Sequence, residues 1–224
     1  MMFNSSLFKR YLSIYSRNPL IVKLHVMMRL LSCPFSKIEP FIPKKGAILD
    51  FGCGFGCFTH YLQLTSYERN IIGCDTAEDK IAQASSTINK DRNIRFHTGS
   101  LDFLEKESLD CIVIIDVLYL IPQEDWRALL DRCYFLLKTG GGFLLKEMDK
   151  EPLWKFRWNN FQETLSVKIF KVTTGSSFKN DKQFYFKSSE ELSNDLTKIG
   201  FRVEVVRVDK GYIHPHILYL CRKV

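Results

Sequence analysis

Apolar residues recur at helical spacing at Leu7, Tyr11, Ile14 and Tyr15, and again at Leu20, Leu24, Met27, Met28 and Leu31, predicting two N-terminal helices. Asn18 and Pro19 separate them, Asn18 as a cap and Pro19 at the first helical position. Pro34, Pro40 and Pro43 punctuate the segment that follows. From Ala47 onward, short apolar runs alternate with segments of helical period. Strands are predicted at 47–50, 71–75, 94–97, 111–115 and 142–146, and helices at 58–64, 78–89 and 125–137. This order implies a parallel sheet with right-handed crossovers and helices on both faces.

The alternation stops at 151–187, a long, weakly periodic stretch rich in aromatic residues, among them Trp154, Trp158 and Phe161. Ser188, Ser189, Glu190 and Glu191 then open a helix that Gly200 stops. Two last strands, 201–208 and 216–221, are joined by only seven residues, so they pair antiparallel as a hairpin. No internal repeat or low-complexity tract is evident.

The 224 residues suffice for one large α/β domain, and 46% hydrophobic with 25% charged residues argues against disorder. Seven cysteines, an odd number without paired spacing, indicate a reducing compartment and a cytoplasmic protein. Cys53 and Cys57 lack a second Cys or His pair nearby, so no metal site is expected. The net charge of +7 is uneven: residues 1–38 hold Lys9, Arg10, Arg17, Lys23, Arg29 and Lys37 with no Asp or Glu, leaving about +1 elsewhere. Such a distribution does not suit a uniformly nucleic-acid-binding domain. The basic segment either meets an anionic surface, presents a solvated helical face, or serves as an organelle presequence. Lys23, His25 and Arg29 interrupt its apolar run, which excludes a membrane span or a signal-peptide core there.

The chemistry concentrates at 47–56, A-I-L-D-F-G-C-G-F-G. A buried strand ends on Asp50, and Gly52, Gly54 and Gly56 then let the chain bend sharply and a ligand approach the backbone. The helix that follows directs free N–H groups toward that ligand. Asp50 suits a cationic or amine-bearing ligand better than a pyrophosphate, which also disfavours the competing dinucleotide fold.

Several landmarks in register give the chain a wider likeness. D-F-G-C-G-F-G (50–56), G-C-D (73–75), L-D-C-I-V-I-I-D (109–116), L-L-K-T-G-G-G-F-L-L-K-E (136–147) and F-K-S-S-E-E-L with L-T-K-I-G-F (186–201) follow one another, and the terminal hairpin closes the series. The sequence from about residue 40 onward resembles the class I S-adenosylmethionine-dependent methyltransferases of the small-molecule type. That resemblance implies a Rossmann-like seven-stranded mixed sheet in the order 3-2-1-4-5-7-6. Its last strand is antiparallel, helices cover both faces, and residues 1–45 form an N-terminal helical lid. Residues 46–224 are then a single domain with a substrate-lid insertion at about 151–187.

The resemblance further implies S-adenosyl-L-methionine as cofactor. Asp50 would attract its amino group, directly or through water, while Gly52 and Gly54 expose backbone to its methionyl part. Cys53, Gly56 and Thr76 complete that wall. Asp75, at a strand end, would accept both ribose hydroxyls, unless it only caps the next helix. Ser100 and Leu101 stand where adenine is usually contacted, with Asp102 close by. Asp116 would meet the cofactor or substrate at the methyl-transfer point, or serve as a turn residue.

Methyl transfer by direct displacement requires alignment and desolvation above all, and a general base when a hydroxyl is methylated. His214, His216 and Tyr119 are the candidates, and a histidine beside proline in a hairpin can equally be a turn residue. Tyr119, Trp154 and Trp158 are candidate substrate contacts, although the tryptophans could instead pack an added helix. No N-P-P-Y-type tetrapeptide follows the fourth strand, which points away from base or glutamine amino groups. A small organic acceptor is left, such as a lipid, acyl or polyketide-like compound, with residues 1–38 meeting a membrane or an acidic carrier protein. The alternative is a cofactor-binding partner protein of the same fold that has lost catalysis.

Overall fold

A computed structural model describes residues 5–87, 93–148, 185–212 and 216–224. Its centre is one seven-stranded sheet in the order β3-β2-β1-β4-β5-β7-β6. The strands are β1 (Gly46–Phe51), β2 (Arg69–Asp75), β3 (Ile94–Thr98), β4 (Leu109–Ile115), β5 (Leu137–Met148), β6 (Phe201–Arg207) and β7 (His216–Lys223). The first five run parallel, and β7 pairs antiparallel with both β5 and β6. The predicted strand order and the reversed final hairpin are both present.

Seven α-helices are described: α1 (Ser5–Ile14), α2 (Leu20–Ser32), α3 (Phe35–Ile38), α4 (Cys57–Thr65), α5 (Glu78–Ser85), α6 (Gln123–Leu136) and α7 (Ser189–Ile199). The helix expected over 78–89 ends at Ser85, and residues 88 and 89 lie outside the described ones. α7 has the predicted start: the Ser188 hydroxyl accepts from the Glu191 N–H while the Glu191 carboxylate accepts from the Ser188 N–H. Gly200, at φ 118°, ends it in the left-handed conformation. β5 begins at Leu137, five residues earlier than expected, because α6 passes into it directly and a register shift near Leu109 takes up the irregularity.

Adjacent strand residues face opposite layers, so each buried strand feeds two cores. Ile48, Cys111, Val113 and Ile115 pack with α1 to α4, whereas Leu49, Ile112 and Ile114 pack with α6 and α7. The N-terminal helices belong to the first of these cores rather than standing apart from it. Tyr11 and Tyr15 are fully buried, and their hydroxyls donate to the carbonyls of Cys57 and Phe55 at 3.0 Å each. Pro19, not Asn18, occupies the cap position of α2; the Asn18 amide instead donates to the backbone and side chain of Gln83 on α5.

Arg69 locks the far end of this layer. It is completely buried, and donates to the carbonyls of Ile42, Pro43 and Leu62, to Thr65, and to the Glu39 carboxylate at 2.7 Å. Removing the guanidinium leaves Glu39 to the exposed Lys44 alone and several buried carbonyls without their donor, at a cost of about 3–5 kcal/mol. Arg69→Met is therefore expected to lower unfolding free energy by about that amount in urea titrations. A loss under about 1 kcal/mol would show that water replaces the guanidinium.

Candidate active site

A cavity of about 500 Å³ opens at the C-terminal ends of β1, β2 and β4. This is where the strand order reverses, the customary ligand position in a doubly wound sheet. The turn from β1 into α4 forms its floor. Gly52, Gly54 and Gly56 have φ of 75°, 55° and 74°, all left-handed. Their surroundings differ. A Cβ at Gly52 would lie 2.2 Å from Val117, and one at Gly56 2.5 Å from Phe96, so both are required by packing. At Gly54 nothing is nearer than 3.9 Å, which leaves bare backbone toward the cavity. The turn is held by Gly52 and Cys53 N–H groups donating to the Cys74 carbonyl, and by Gly54 N–H donating to Asp75 at 2.8 Å.

Asp75 accepts from Gly54 through one carboxylate oxygen and from Ala77 N–H, at 2.9 Å, through the other. Each oxygen keeps further lone-pair capacity for hydroxyl donors. Asp50 lies deeper than its sequence position suggests. It is 2% exposed, accepts from the Thr59 hydroxyl at 2.6 Å, and is pushed up to about 6 by burial, against the pull of that hydrogen bond.

Asp116 is held between two cations. It adopts φ 56°, unusual for a residue other than glycine. Arg29 of α2 pairs with one carboxylate oxygen at 2.8 Å, and the fully buried Lys146 of β5 pairs with the other. Burial opposes ionisation there, but the two cations prevail and hold Asp116 far below the usual carboxylate range. Glu147, beside it, accepts from the N–H groups of Leu118 and Val117 at 2.9 and 3.3 Å. Burial and the charge of Asp116 push Glu147 up to about 8.

The structure brings Asp50, Gly52, Cys53, Gly54, Asp75, Thr76, Asp116 and Tyr119 to this one cavity. Gly56, Ser100, Leu101 and His216 do not line it. Ser100 is exposed and donates to Asp102, and Leu101 is buried in the second core. His216 is buried on β7, its Nε2 3.1 Å from the Ser32 carbonyl. His214, Trp154 and Trp158 lie outside the described residues. Tyr119 stacks on Phe186, with ring centres 5.6 Å apart. Sequence reasoning missed His25, Arg29 and Lys80, which line the cavity, and Lys146 and Glu147 behind it. The i, i+4 spacing of His25 and Arg29 was their only local signal.

The fold is that of S-adenosylmethionine-dependent methyltransferases. One solved example, from Archaeoglobus fulgidus, superposes with a TM-score of 0.65 at 17% identity, covering 87% of this chain and 94% of that one. Residues 48–141 match the methyltransferase domain family. Among curated proteins, the tRNA N(3)-methylcytidine methyltransferase Mettl2 of Drosophila melanogaster is 27% identical over 173 residues, covering 73% of this chain and 51% of that protein. The carboxy-S-adenosyl-L-methionine synthase of Shewanella sp. (strain ANA-3) is 25% identical over 114 residues, covering 49% and 47%. The chain thus spans about half the length of these curated relatives.

Glu147 generates a pH dependence. Below its ordinary value of 4.5, folded and unfolded chains both hold the proton; between there and about 8 only the folded chain does. Its contribution to stability therefore declines as pH rises through that window and levels off above it. Glu147→Gln, whose amide oxygen can accept the same two N–H groups, should remove the decline. Urea unfolding is expected to show little change near pH 5 and a relative gain above about 1 kcal/mol near pH 8.5. Parallel profiles for both proteins would contradict the assignment.

Proposed function

We propose that this protein transfers a methyl group from S-adenosylmethionine to a hydroxyl of a small organic acceptor by direct displacement. One observation carries the reading: Gly54 presents bare backbone to the same cavity that the Asp75 carboxylate lines, at the switch point of the sheet. A volume of about 500 Å³ suits a nucleoside ligand with an acceptor beside it. Bound S-adenosylmethionine supplies an activated methyl on a sulfonium. The chain's own residues have simpler tasks. Asp75 accepts ribose hydroxyls, and the Gly52 to Gly54 turn bears on the amino-acid part. Phe35, Phe58, Ile115 and Leu120 exclude water around the acceptor. Of the candidate bases, Tyr119 is the described residue that reaches the cavity, and we assign it the positioning of the acceptor hydroxyl.

Calorimetry with S-adenosylmethionine, S-adenosylhomocysteine and NADH tests the reading. Micromolar binding of both sulfur nucleosides is expected, weakened at least tenfold in Asp75→Ala. Retention of NADH with neither nucleoside bound at millimolar concentration would overturn it. Binding without transfer to any acceptor would favour a partner protein without catalysis. A nucleic-acid acceptor is the second reading, favoured by the likeness to a tRNA methyltransferase. Methyl incorporation into unfractionated tRNA, but not into small-molecule extracts, would select it.

We also assign α2 to contact with an anionic lipid surface. Leu20, Leu24, Met28 and Leu31 are 71%, 41%, 46% and 60% exposed along one stripe of this helix, and α1, α2 and the turn between them carry Lys9, Arg10, Arg17 and Lys23. No helix among the described residues is long and apolar enough to cross a membrane. Co-sedimentation with phosphatidylserine vesicles is expected at low salt. It should fall at least fivefold in the Leu24→Glu, Met28→Glu double variant; equal sedimentation of both proteins would remove the contact.

A further inference from the structure

α2 faces three ways. Val22, Val26 and Leu30 seat it on the first core, while Leu20, Leu24, Met28 and Leu31 stay exposed. His25 and Arg29 line the cavity, and each follows a member of the exposed stripe, Leu24 or Met28, by a single residue. A helix turns by about 100° per residue, so the cavity face of α2 lies beside the stripe, between it and the buried face. A surface that takes up the stripe therefore comes against the wall of the cavity, not against a remote part of the molecule.

The cavity itself is divided by chemistry. On the β2 side Asp75, Thr76 and Lys80 line it with polar groups, next to the bare backbone of Gly54. On the β4 side the lining is apolar: Phe35, Phe58, Ile115, Leu120, Ile121 and Pro122. Phe35 and Phe58, with ring centres 4.9 Å apart, share the first core with Ile115 and with the buried face of α2, so this end lies under that helix. Those three are almost wholly buried, whereas Leu120 is 42% exposed. The apolar lining thus runs from the interior to the surface. It emerges on the short turn Leu118–Leu120, whose foot, Asp116, is paired with Arg29 of α2.

We propose that the acceptor is a membrane-borne amphiphile, a hydroxyl-bearing head on an apolar chain, that enters the cavity from the bilayer beside α2. Such an acceptor presupposes the methyltransferase reading and the lipid contact of α2, and is the substrate class the two have in common. A cavity of about 500 Å³ that also takes the nucleoside encloses a head and not a long tail. The tail is left to pass Leu120 and remain in the bilayer, so its methylenes need not be drawn into water. Inside, the head's hydroxyl lies by Tyr119. Its oxygen takes the methyl carbon, its proton passes to water, and the pair of the broken carbon–sulfur bond stays on sulfur.

The test uses the full chain saturated with S-adenosylhomocysteine, phosphatidylserine vesicles and two photoreactive analogues of 1-dodecanol. One carries a diazirine next to the hydroxyl, the other at the far end of the chain. Peptide mapping after irradiation is expected to place the first label on the cavity lining around Phe58 and Tyr119, and the second on Leu120, Leu24 or Met28. Excess 1-dodecanol should reduce both at least fivefold. In the Leu24→Glu, Met28→Glu double variant, both positions are exposed, so the core is untouched. Its cavity label should fall at least fivefold when the probe is supplied in vesicles and stay within twofold when the probe is supplied in buffer. Label confined to the stripe with both probes, or equal cavity labelling of both proteins from vesicles, would overturn the membrane-borne acceptor while leaving the methyltransferase reading in place. Failure of the unsubstituted protein to bind S-adenosylhomocysteine in calorimetry would remove that reading and the acceptor with it.

Discussion

The turn between β1 and α4 is the constraint on which the rest depends. Its backbone is committed to Cys74 and Asp75 of β2 through N–H groups, and to Tyr11 of α1 and Tyr15 just after it through the carbonyls of Cys57 and Phe55. Val117 and Phe96 leave no room for side chains at Gly52 and Gly56. A left-handed conformation costs an ordinary residue about 1–2 kcal/mol, and only glycine avoids it. The sequence accepts three such glycines within five residues because the turn brings an uncovered stretch of main chain to the mouth of the sheet. The two tyrosine hydrogen bonds also explain why the N-terminal helices share the first core. They complete a turn that would otherwise leave buried carbonyls unpaired.

Electrostatics at the neighbouring strand end follows a different logic. A carboxylate as buried as Asp116 would normally take up a proton, and a second one beside it even more readily. Two cations keep Asp116 charged, while Glu147 stays neutral and accepts hydrogen bonds from the turn after β4. The pair thus divides its roles by environment. Asp116 joins α2 to the sheet, and Glu147 fixes the loop that brings Tyr119 to the cavity.

Much of this architecture is legible in the chain because it is written locally. The alternation of strands and helices, the glycine turn, the capping box at Ser188 and the short final connection all depend on neighbours within a few residues. What is not legible depends on distance. Arg29 and Asp116 are 87 positions apart, and Arg29 reads in the sequence as one more charge in a basic N-terminal segment. Asn18 has the composition of a cap, yet a partner 65 residues away takes its side chain. Asp50 reads as a ligand-facing charge because nothing local discloses that Thr59 covers it. His216 sits on a strand end of the predicted type, but it turns toward Ser32 rather than the cavity.

The placement of Arg29 bears on how the site is assembled. Its helix is held from below by Val22, Val26 and Leu30 and reaches the active-site wall through one ion pair to Asp116. Lys146 holds the other Asp116 oxygen from behind, so the carboxylate is gripped on two sides. The helix that completes the first core therefore also supplies part of the active-site wall. The seating of the N-terminal segment and the charge balance of the cavity thus meet in a single guanidinium.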